Sequence, residues 1–293
     1  MTLYHGYDRA GLDGQYNNRL LVPDYAAHFA RWKSGSEAAG ARFKTIARYD
    51  VAYGPTKLET LDIYPAKASQ GAKPPILVFI HGGYWRLLDK ADFAFTAPAY
   101  VDAGITYVPI NYALIPAVTI DDILRQVRAA IAWLYRNPDA HGGDVNRLYV
   151  SGHSAGGQLA PMALVHDWKA EGLPADLVKG AVAVSGLYDL EAMRRCYLNE
   201  GMNLDDGMVQ RNSPLYQIPP ASRPMAPLVL SVGAQESAEF QRQQADFAAA
   251  WATSQKPPAI VPAPGANHFS VVEQFADPST ALFQATRDLA LGR

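Results

Sequence analysis

The stretch LYVSGHSAGGQLAPMAL, residues 148–164, decides how the chain folds. It begins as an apolar strand and continues as a helix-compatible run with Leu159 and Leu164. Between the two, GHSAG at 152–156 has the pattern G-x-S-x-G. A strand that turns directly into a helix strains the central serine and leaves no room for side chains two positions on either side of it. The pattern predicts a turn that exposes the Ser154 hydroxyl above a sheet. The alternative is a glycine-rich turn with only a structural role.

Short apolar runs on both sides of this stretch predict a parallel sheet. They are apolar on both faces and recur at helix-length intervals, as strands do when helices cover both sides of a sheet. Earlier, KLETLDIYP (57–65) alternates and stops at Pro65, which is typical of an antiparallel edge strand. The expected fold class is therefore α/β, a single domain over residues 1–293 with a doubly wound, mostly parallel sheet flanked by helices. The predicted parallel strands are ILVFI (76–80), ITYVPINY (105–112), LYVSG (148–152), GAVAVSG (180–186), PLVLSVG (227–233) and AIVPAPG (259–265).

Three other segments complete the predicted layout. Residues 121–135 have apolar side chains on one helical face, with Thr119 as the cap and Asn137-Pro138 as the end. Residues 1–45 are aromatic without strand-like alternation, and we expect a helical extension that either covers a pocket or mediates self-association. Residues 190–225 have no clear period and lie between two strands. We expect them to form a small lid insertion that controls substrate selectivity.

Composition excludes several classes of function. The chain has 293 residues and a formal net charge of -2, so neither nucleic acid nor a membrane surface is an expected partner. No apolar run reaches the roughly 20 residues of a membrane span, and the first ten residues lack the pattern of a signal peptide. The single cysteine, Cys196, excludes an internal disulfide and is expected to pack as an apolar residue. We therefore expect a cytoplasmic protein that acts on a small molecule.

A reactive serine hydroxyl needs a histidine to accept its proton and a carboxylate to orient that histidine. Of seven histidines, His268 lies in the loop after the last predicted strand, where the chain order serine, acid, histidine places the base. The acid should follow PLVLSVG, and Glu236 lies three residues beyond Gly233. Asp189, after the preceding strand, and Glu239, one helical turn beyond Glu236, are the alternatives.

The stretch HGGYWR (81–86) follows the strand ILVFI and predicts a site for developing negative charge. Attack by Ser154 on a carbonyl leaves charge on oxygen, and each fixed backbone N–H that binds it contributes about 3–4 kcal/mol. We expect these donors among Gly82, Gly83 and Tyr84, with one more from Ala155. The expected pocket side chains are Tyr84, Trp85, His153 and Tyr188, and the alternative for the two loop aromatics is packing under the lid. No metal-ligand spacing and no phosphate loop after a strand are present in the sequence, so we expect neither metal nor cofactor.

The motifs resemble those of the α/β-hydrolases, in the hormone-sensitive-lipase-like esterase group. Two differences from that group, Tyr84-Trp85 after HGG and His153 before the serine, resemble its kynurenine formamidase (arylformamidase) branch. LDGQYNNRLLVPD (12–24) is also similar to the start of bacterial members of that branch. The stretches that carry the wider resemblance are HGG (81–83), NYALIP (111–116), HGGDVNRLYVSGHSAGGQLA (141–160) and NHF (267–269).

This resemblance implies hydrolysis of an N-formyl aryl amide or a short acyl ester through an acyl-Ser154 intermediate, without a cofactor. It also implies the roles of His268 and the glycine pair, whereas an aspartate is commoner at the position of Glu236. The carboxylate of N-formylkynurenine would need a cationic partner, for which Arg86, Arg194 and Arg195 are candidates. A general carboxylesterase or acetylhydrolase and a catalytically inactive binding module of the same fold are the alternative functions.

Overall fold

The computed structural model describes residues 2–68 and 71–293, so Met1, Ser69 and Gln70 lie outside the described residues. Within these ranges the centre of the protein is an eight-stranded sheet with the order β1-β2-β4-β3-β5-β6-β7-β8. Strand β2 runs antiparallel to both of its neighbours, and all other pairs are parallel. The strands are β1 Arg48–Ala52, β2 Thr60–Ile63, β3 Ile76–Ile80, β4 Thr106–Ile110, β5 Leu148–His153, β6 Val178–Val184, β7 Leu228–Ser231 and β8 Ala259–Ile260.

Helices cover both faces of this sheet, and the predicted α/β class is confirmed. The α-helices are α1 Arg9–Tyr16, α2 Asn18–Leu21, α3 Tyr25–Phe43, α4 Ala97–Asp102, α5 Ile120–Arg136, α6 Pro138–His141, α7 Ala155–Leu164, α8 Glu191–Arg195, α9 Asn199–Met202, α10 Asp206–Asn212, α11 Ala238–Ala252, α12 Ser270–Ala276 and α13 Ala281–Leu291. Shorter 3₁₀ helices span Lys90–Thr96, Trp168–Glu171 and Pro214–Tyr216. Helix α5 agrees with the predicted helix, since Thr119 caps it and Asn137 ends it.

Strand β3 shows why the central strands are apolar at every position. Ile76, Val78 and Ile80 pack into the core on one face of the sheet, with α5 and α7. Leu77 and Phe79 pack into the core on the other face, which α3, α4, α12 and α13 cover. Because successive side chains of a strand point to opposite faces, a strand between two cores needs five apolar residues in a row.

Two strand predictions are wrong in detail. The stretch 57–65 contains β2, which is antiparallel as expected, but β1 lies outside it and is the true edge strand. Strand β1 is mostly exposed, so its sequence lacks the alternation by which a half-buried strand is recognised. The stretch 259–265 forms only the two residues of β8, since Pro262 and Pro264 cannot donate backbone hydrogen bonds to a neighbouring strand.

Within residues 2–43, the helices pack against both cores of the domain. Leu12 and Tyr16 of α1 are buried in the first core, and Trp32 and Phe43 of α3 in the second. Between β6 and β7, helices α8, α9 and α10 occupy the segment predicted as a lid. In this segment Cys196 is fully buried, as expected, and burial raises the pKa of its thiol to about 11. Among the described residues, no helix combines the length and the apolar character needed to cross a bilayer.

Candidate active site

Ser154 lies at the turn between β5 and α7, in a strained backbone conformation. Its φ is +58°, in the left-handed region that non-glycine residues rarely adopt. A Cβ at Gly152 would lie 2.1 Å from the carbonyl oxygen of Gly156, and one at Gly156 would lie 1.9 Å from that of Ile80. Both glycines are therefore required by backbone contacts of the turn, as the G-x-S-x-G pattern predicts.

The structure brings Ser154, His268 and Glu236 into one hydrogen-bonded line. His268 Nε2 lies 3.0 Å from Ser154 Oγ, and His268 Nδ1 lies 2.6 Å from Glu236 Oε2. His268 comes from the loop before α12, and Glu236 from the turn that follows β7. All three side chains are buried or nearly so. The serine can thus pass its proton to an imidazole that a carboxylate orients from the other side.

The two alternative acids lie elsewhere and hold the N-terminal segment. Asp189 accepts hydrogen bonds from the hydroxyls of Tyr4 and Tyr216. Glu239 is buried, accepts a hydrogen bond from Tyr16 Oη at 3.0 Å, and forms an ion pair with Arg242. Each of these carboxylates already has its partners, and neither accepts the hydrogen bond from His268 Nδ1, which Glu236 accepts.

The loop after β3 places backbone N–H groups beside the nucleophile. Gly83, Tyr84 and Trp85 have φ values of +110°, +49° and +57°, so three successive residues adopt left-handed conformations. A Cβ at Gly82 would lie 2.9 Å from Ser154 Cβ, which shows how closely the loop approaches the serine. His81 Nδ1 donates a hydrogen bond to the Gly82 carbonyl at 2.7 Å and thereby fixes the following peptide unit.

The expected oxyanion donors are available for a ligand. Within residues 2–68 and 71–293, the backbone N–H groups of Gly82, Gly83, Tyr84 and Ala155 donate to no other protein group. Ala155 follows the nucleophile at the first turn of α7, where helix N–H groups lack intrahelical acceptors. These N–H groups are therefore free to bind negative charge on a substrate oxygen.

A cavity of about 340 Å³ opens beside Ser154. Of the four predicted pocket residues, Tyr84 and His153 line this cavity, whereas Trp85 and Tyr188 do not. The indole of Trp85 is turned under the loop, where its Nε1 donates to Gln158 at 3.1 Å. Tyr188 is likewise buried and stacks on Phe247 with ring centroids 4.4 Å apart.

The N-terminal segment supplies much of the cavity wall, and the sequence analysis assigned none of its individual residues to the pocket. Asn18, Arg19, Phe29 and Trp32 all line the cavity. They are held there by contacts to distant parts of the chain, such as the 3.1 Å hydrogen bond from Asn18 Nδ2 to Tyr84 Oη. The resemblance of residues 12–24 to formamidases is the signal that could have pointed to Asn18 and Arg19.

The charged side chains that line the cavity are basic. Arg19 and Arg86 both line it, and no Asp or Glu among the described residues does. Of the three predicted cationic candidates, only Arg86 lines the cavity. Arg194 and Arg195 form ion pairs with Glu191 outside the cavity.

His153 adds an uncharged polar group beside the base. Its Nε2 donates a hydrogen bond to the His268 carbonyl at 2.9 Å, so Nδ1 carries no proton in the neutral ring. Burial, and secondarily the nearby His268, lower the pKa of His153 well below its ordinary value. The ring therefore stays neutral and contributes no charge to the site at neutral pH.

The sheet order and the strand–serine–helix turn define an α/β-hydrolase. Comparison with known proteins agrees with this class, and the BD-FAE family model matches residues 61–226. Kynurenine formamidases from Danio rerio and Salmo salar are 32% and 31% identical over 267 residues, which cover 90% of this chain and 88% of each relative. A solved structure from Silicibacter sp. TM1040, provisionally described as a thioesterase, has a TM-score of 0.80 and 27% identity over 93% of this chain and 97% of its own.

The chain therefore belongs to the BD-FAE family of α/β-hydrolases, in the branch that contains the kynurenine formamidases. The predicted resemblance is confirmed over nine-tenths of the chain. Curated relatives of the chain include kynurenine formamidases and esterases, and the protein is a hydrolase that acts on amide or ester bonds.

Proposed function

We propose that the protein hydrolyses N-formyl aryl amides that carry an anionic group, with N-formylkynurenine as the model substrate. The observation that carries this proposal is the cavity beside Ser154, which has aromatic walls and two arginines but no acidic residue among its described lining. The identity to two kynurenine formamidases over nine-tenths of the chain supports the same substrate class.

In the proposed reaction, Ser154 Oγ attacks the formyl carbon while His268 Nε2 accepts the hydroxyl proton. Glu236 holds the ring by its Nδ1–H and stabilises the imidazolium that forms. The oxygen that becomes negative is bound by the N–H groups of the loop after β3 and of Ala155. His268 then donates its proton to the leaving aryl amine, and a formyl ester of Ser154 remains.

Water completes the cycle by the same groups. His268 removes a proton from a water molecule, whose oxygen attacks the formyl carbon of the acyl-enzyme. The second tetrahedral intermediate collapses to formic acid, which ionises to formate in solution, and His268 returns its proton to Ser154 Oγ. Protons move only among water, the substrate, His268 and Ser154, so the proposed reaction balances with water as the one co-reactant.

The two arginines are suited to different tasks in binding. Arg86 is partly buried and anchored, since its Nη1 donates to the Leu198 carbonyl at 3.2 Å. Arg19 is exposed, and its guanidinium carbon lies 5.3 Å and 5.9 Å from the ring centroids of Tyr25 and Phe29. A guanidinium has five N–H donors, so both side chains retain donors for a substrate carboxylate.

The test compares kcat/KM for N-formylkynurenine, for its carboxamide analogue, which lacks the carboxylate, and for p-nitrophenyl acetate. We expect the formamide with the carboxylate to be preferred over both, and R19A and R86A to remove the preference over the carboxamide by raising KM. Equal kcat/KM for the two formamides would contradict recognition of the anion. A higher kcat/KM for p-nitrophenyl acetate would instead favour the general carboxylesterase.

Ser154→Ala tests the mechanism itself, with circular dichroism to show that the variant is folded. We expect loss of all hydrolysis and loss of labelling by a serine-directed fluorophosphonate. A wild-type protein that the reagent does not label would favour the inactive binding module. Retention of hydrolysis in S154A would reject Ser154 as the nucleophile.

We further propose roles for the two segments beside the cavity and a cytoplasmic location. Tyr197 and Leu198 of segment 190–225 line the cavity, which supports a lid that selects substrates. The position of Asn18 and Arg19 in the cavity wall supports a covering role for the N-terminal segment rather than self-association. The buried, unpaired Cys196 is compatible with a reducing compartment, and localisation of a fluorescent fusion tests this.

A further inference from the structure

Ser185 has a backbone conformation that needs an explanation. It directly follows β6, is buried, and has a φ of +51°. Its backbone N–H donates to the Ser231 carbonyl at 2.8 Å, which ties the residue to the neighbouring strand. Glycine adopts this φ without strain, whereas serine does not. Strain of this kind is kept where surrounding contacts impose it, and it concentrates at functional sites.

The hydroxyl of Ser185 has one clear partner, Oε1 of Glu236. The same oxygen accepts the backbone N–H of Gly233 at 2.7 Å. The other oxygen, Oε2, faces His268 Nδ1 at 2.6 Å. Two donors on one carboxylate oxygen fix the rotation of the group, so that the second oxygen is presented to the imidazole.

A glutamate depends on this support because it has one more rotatable bond than an aspartate. Without a second donor, the carboxylate could turn about its terminal bond and lose the line to His268. The first donor is the backbone N–H of Gly233, and this position must stay glycine, since a Cβ there would lie 2.5 Å from the Ala266 carbonyl oxygen. Ser185 does not line the substrate cavity, so its influence must pass through Glu236.

We propose that Ser185 is a positioning residue of the active site, whose hydroxyl locks Glu236 in the orientation that serves His268. This inference rests on the proposed roles of Glu236 and His268. It does not depend on whether the physiological bond is an amide or an ester.

The test uses Ser185→Gly and Ser185→Ala in the full chain, with the best available amide or ester substrate. We expect kcat to fall about tenfold with KM unchanged, as for loss of a hydrogen bond to a charged group. S185G also relieves the backbone strain, so its Tm should not fall. The far-downfield proton NMR signal of the His268 Nδ1–H···Glu236 hydrogen bond should shift or broaden in both variants.

Two controls separate positioning from a structural effect. Ser231→Ala removes another buried hydroxyl near the same edge, one that makes no hydrogen bond within the described residues, and it should leave kcat unchanged. In an E236A background, S185G should cause no further loss of kcat, because the carboxylate that Ser185 positions is absent.

The outcomes are distinct. Retention of more than half of the wild-type kcat in both Ser185 variants overturns the inference, as does an equal loss in the wild-type and E236A backgrounds. If S154A were to remain active, the proposed function would fail instead, whatever the result at Ser185.

Discussion

Three carboxylates lie near the carboxyl edge of the sheet, and they differ in whether a carboxylate oxygen is available to His268. Glu236 presents one oxygen to His268, whereas Asp189 and Glu239 are engaged by tyrosines and an arginine. The order of motifs along the chain left these three residues as candidates for the acid that orients His268. It favoured Glu236, because Glu236 directly follows the predicted strand 227–233. It could not exclude the other two, because the hydrogen bonds to Tyr4 and Tyr16 span 185 and 223 residues.

Glu236→Gln should lower kcat by about 10³-fold or more, since an amide neither fixes the required ring tautomer nor balances the imidazolium charge. Asp189→Asn and Glu239→Gln should keep kcat within about threefold and lower Tm, because they weaken only anchoring hydrogen bonds. Steady-state kinetics and thermal unfolding of the three variants provide the check. A larger kcat loss in D189N than in E236Q would reverse the assignment.

Gly82 lies so close to Ser154 that a side chain at position 82 would displace either the loop or the serine. A Cβ would lie 2.9 Å from both Ser154 Cβ and the His153 carbonyl oxygen, so Gly82→Ala must move the loop or the serine. We expect kcat to fall by about 10²-fold, the effect of losing one oxyanion donor. Gly40→Ala in α3 is the matched control, since a Cβ there meets nothing within 4 Å, and it should leave kcat intact. Wild-type kinetics in G82A would contradict the assigned geometry.

At the scale of elements, the N-terminal helices act as part of the pocket. Tyr16 is buried, and its hydroxyl donates to Glu239 and accepts from Gln243 at 2.7 Å. Its backbone carbonyl accepts the Tyr84 hydroxyl at 2.7 Å, which joins the segment to the loop beside Ser154. One residue thus anchors the segment to α11 by its side chain and to the active-site loop by its backbone.

These two attachments can be tested separately. Tyr16→Phe should lower the free energy of unfolding by about 1–2 kcal/mol with little change in KM, because it leaves the Tyr16 carbonyl in place. Tyr84→Phe removes the hydroxyl that reaches both Tyr16 and Asn18, and should raise KM several-fold with a smaller effect on stability. Urea unfolding and Michaelis kinetics of both variants give the answer. Equal effects of Tyr16→Phe and Tyr84→Phe on KM would show that the two attachments of the N-terminal segment do not act separately.

Local patterns predicted the elements that position the nucleophile better than those that bind the substrate. Helix α5 follows its apolar period and its Thr119 cap, and β3 and β5 follow their continuous apolar runs. Edge strand β1 and the cavity residues Asn18 and Arg19 carry no such pattern. Their positions depend on packing against segments far along the chain, which a local period does not encode.

For the molecule as a whole, buried histidines make stability depend on pH. Burial lowers the pKa of His81 to about 4 and that of His153 well below its ordinary value. Below about pH 6.5 the unfolded chain binds protons at these positions while the folded protein does not, so stability falls as pH falls towards 4. The shift at His81 alone corresponds to about 3 kcal/mol at the acid end of this window.

Urea unfolding at pH 7.0 and at about pH 4.5 measures this effect. We expect a lower free energy of unfolding at the lower pH, and a smaller difference between the two in His81→Asn, which no longer titrates. An amide can still donate to the Gly82 carbonyl, so H81N is the conservative choice. Stability that rises between pH 7.0 and about pH 4.5 would contradict the buried, neutral state of these rings.

The docking of the first helices against the last ones has a consequence for biosynthesis. His28 pairs with Glu273 across 245 residues, and Tyr16 with Glu239 across 223. During synthesis α1 and α3 emerge before the residues with which they pair, so they cannot dock until α11 and α12 have emerged as well. Trp32 of α3 can pack against Phe93 and Phe95 early, whereas its contact with Phe269 forms only at that later stage. Glu236 and His268 also lie in this later part of the sequence, so a chain interrupted before them would hold Ser154 without the two side chains that line up with it.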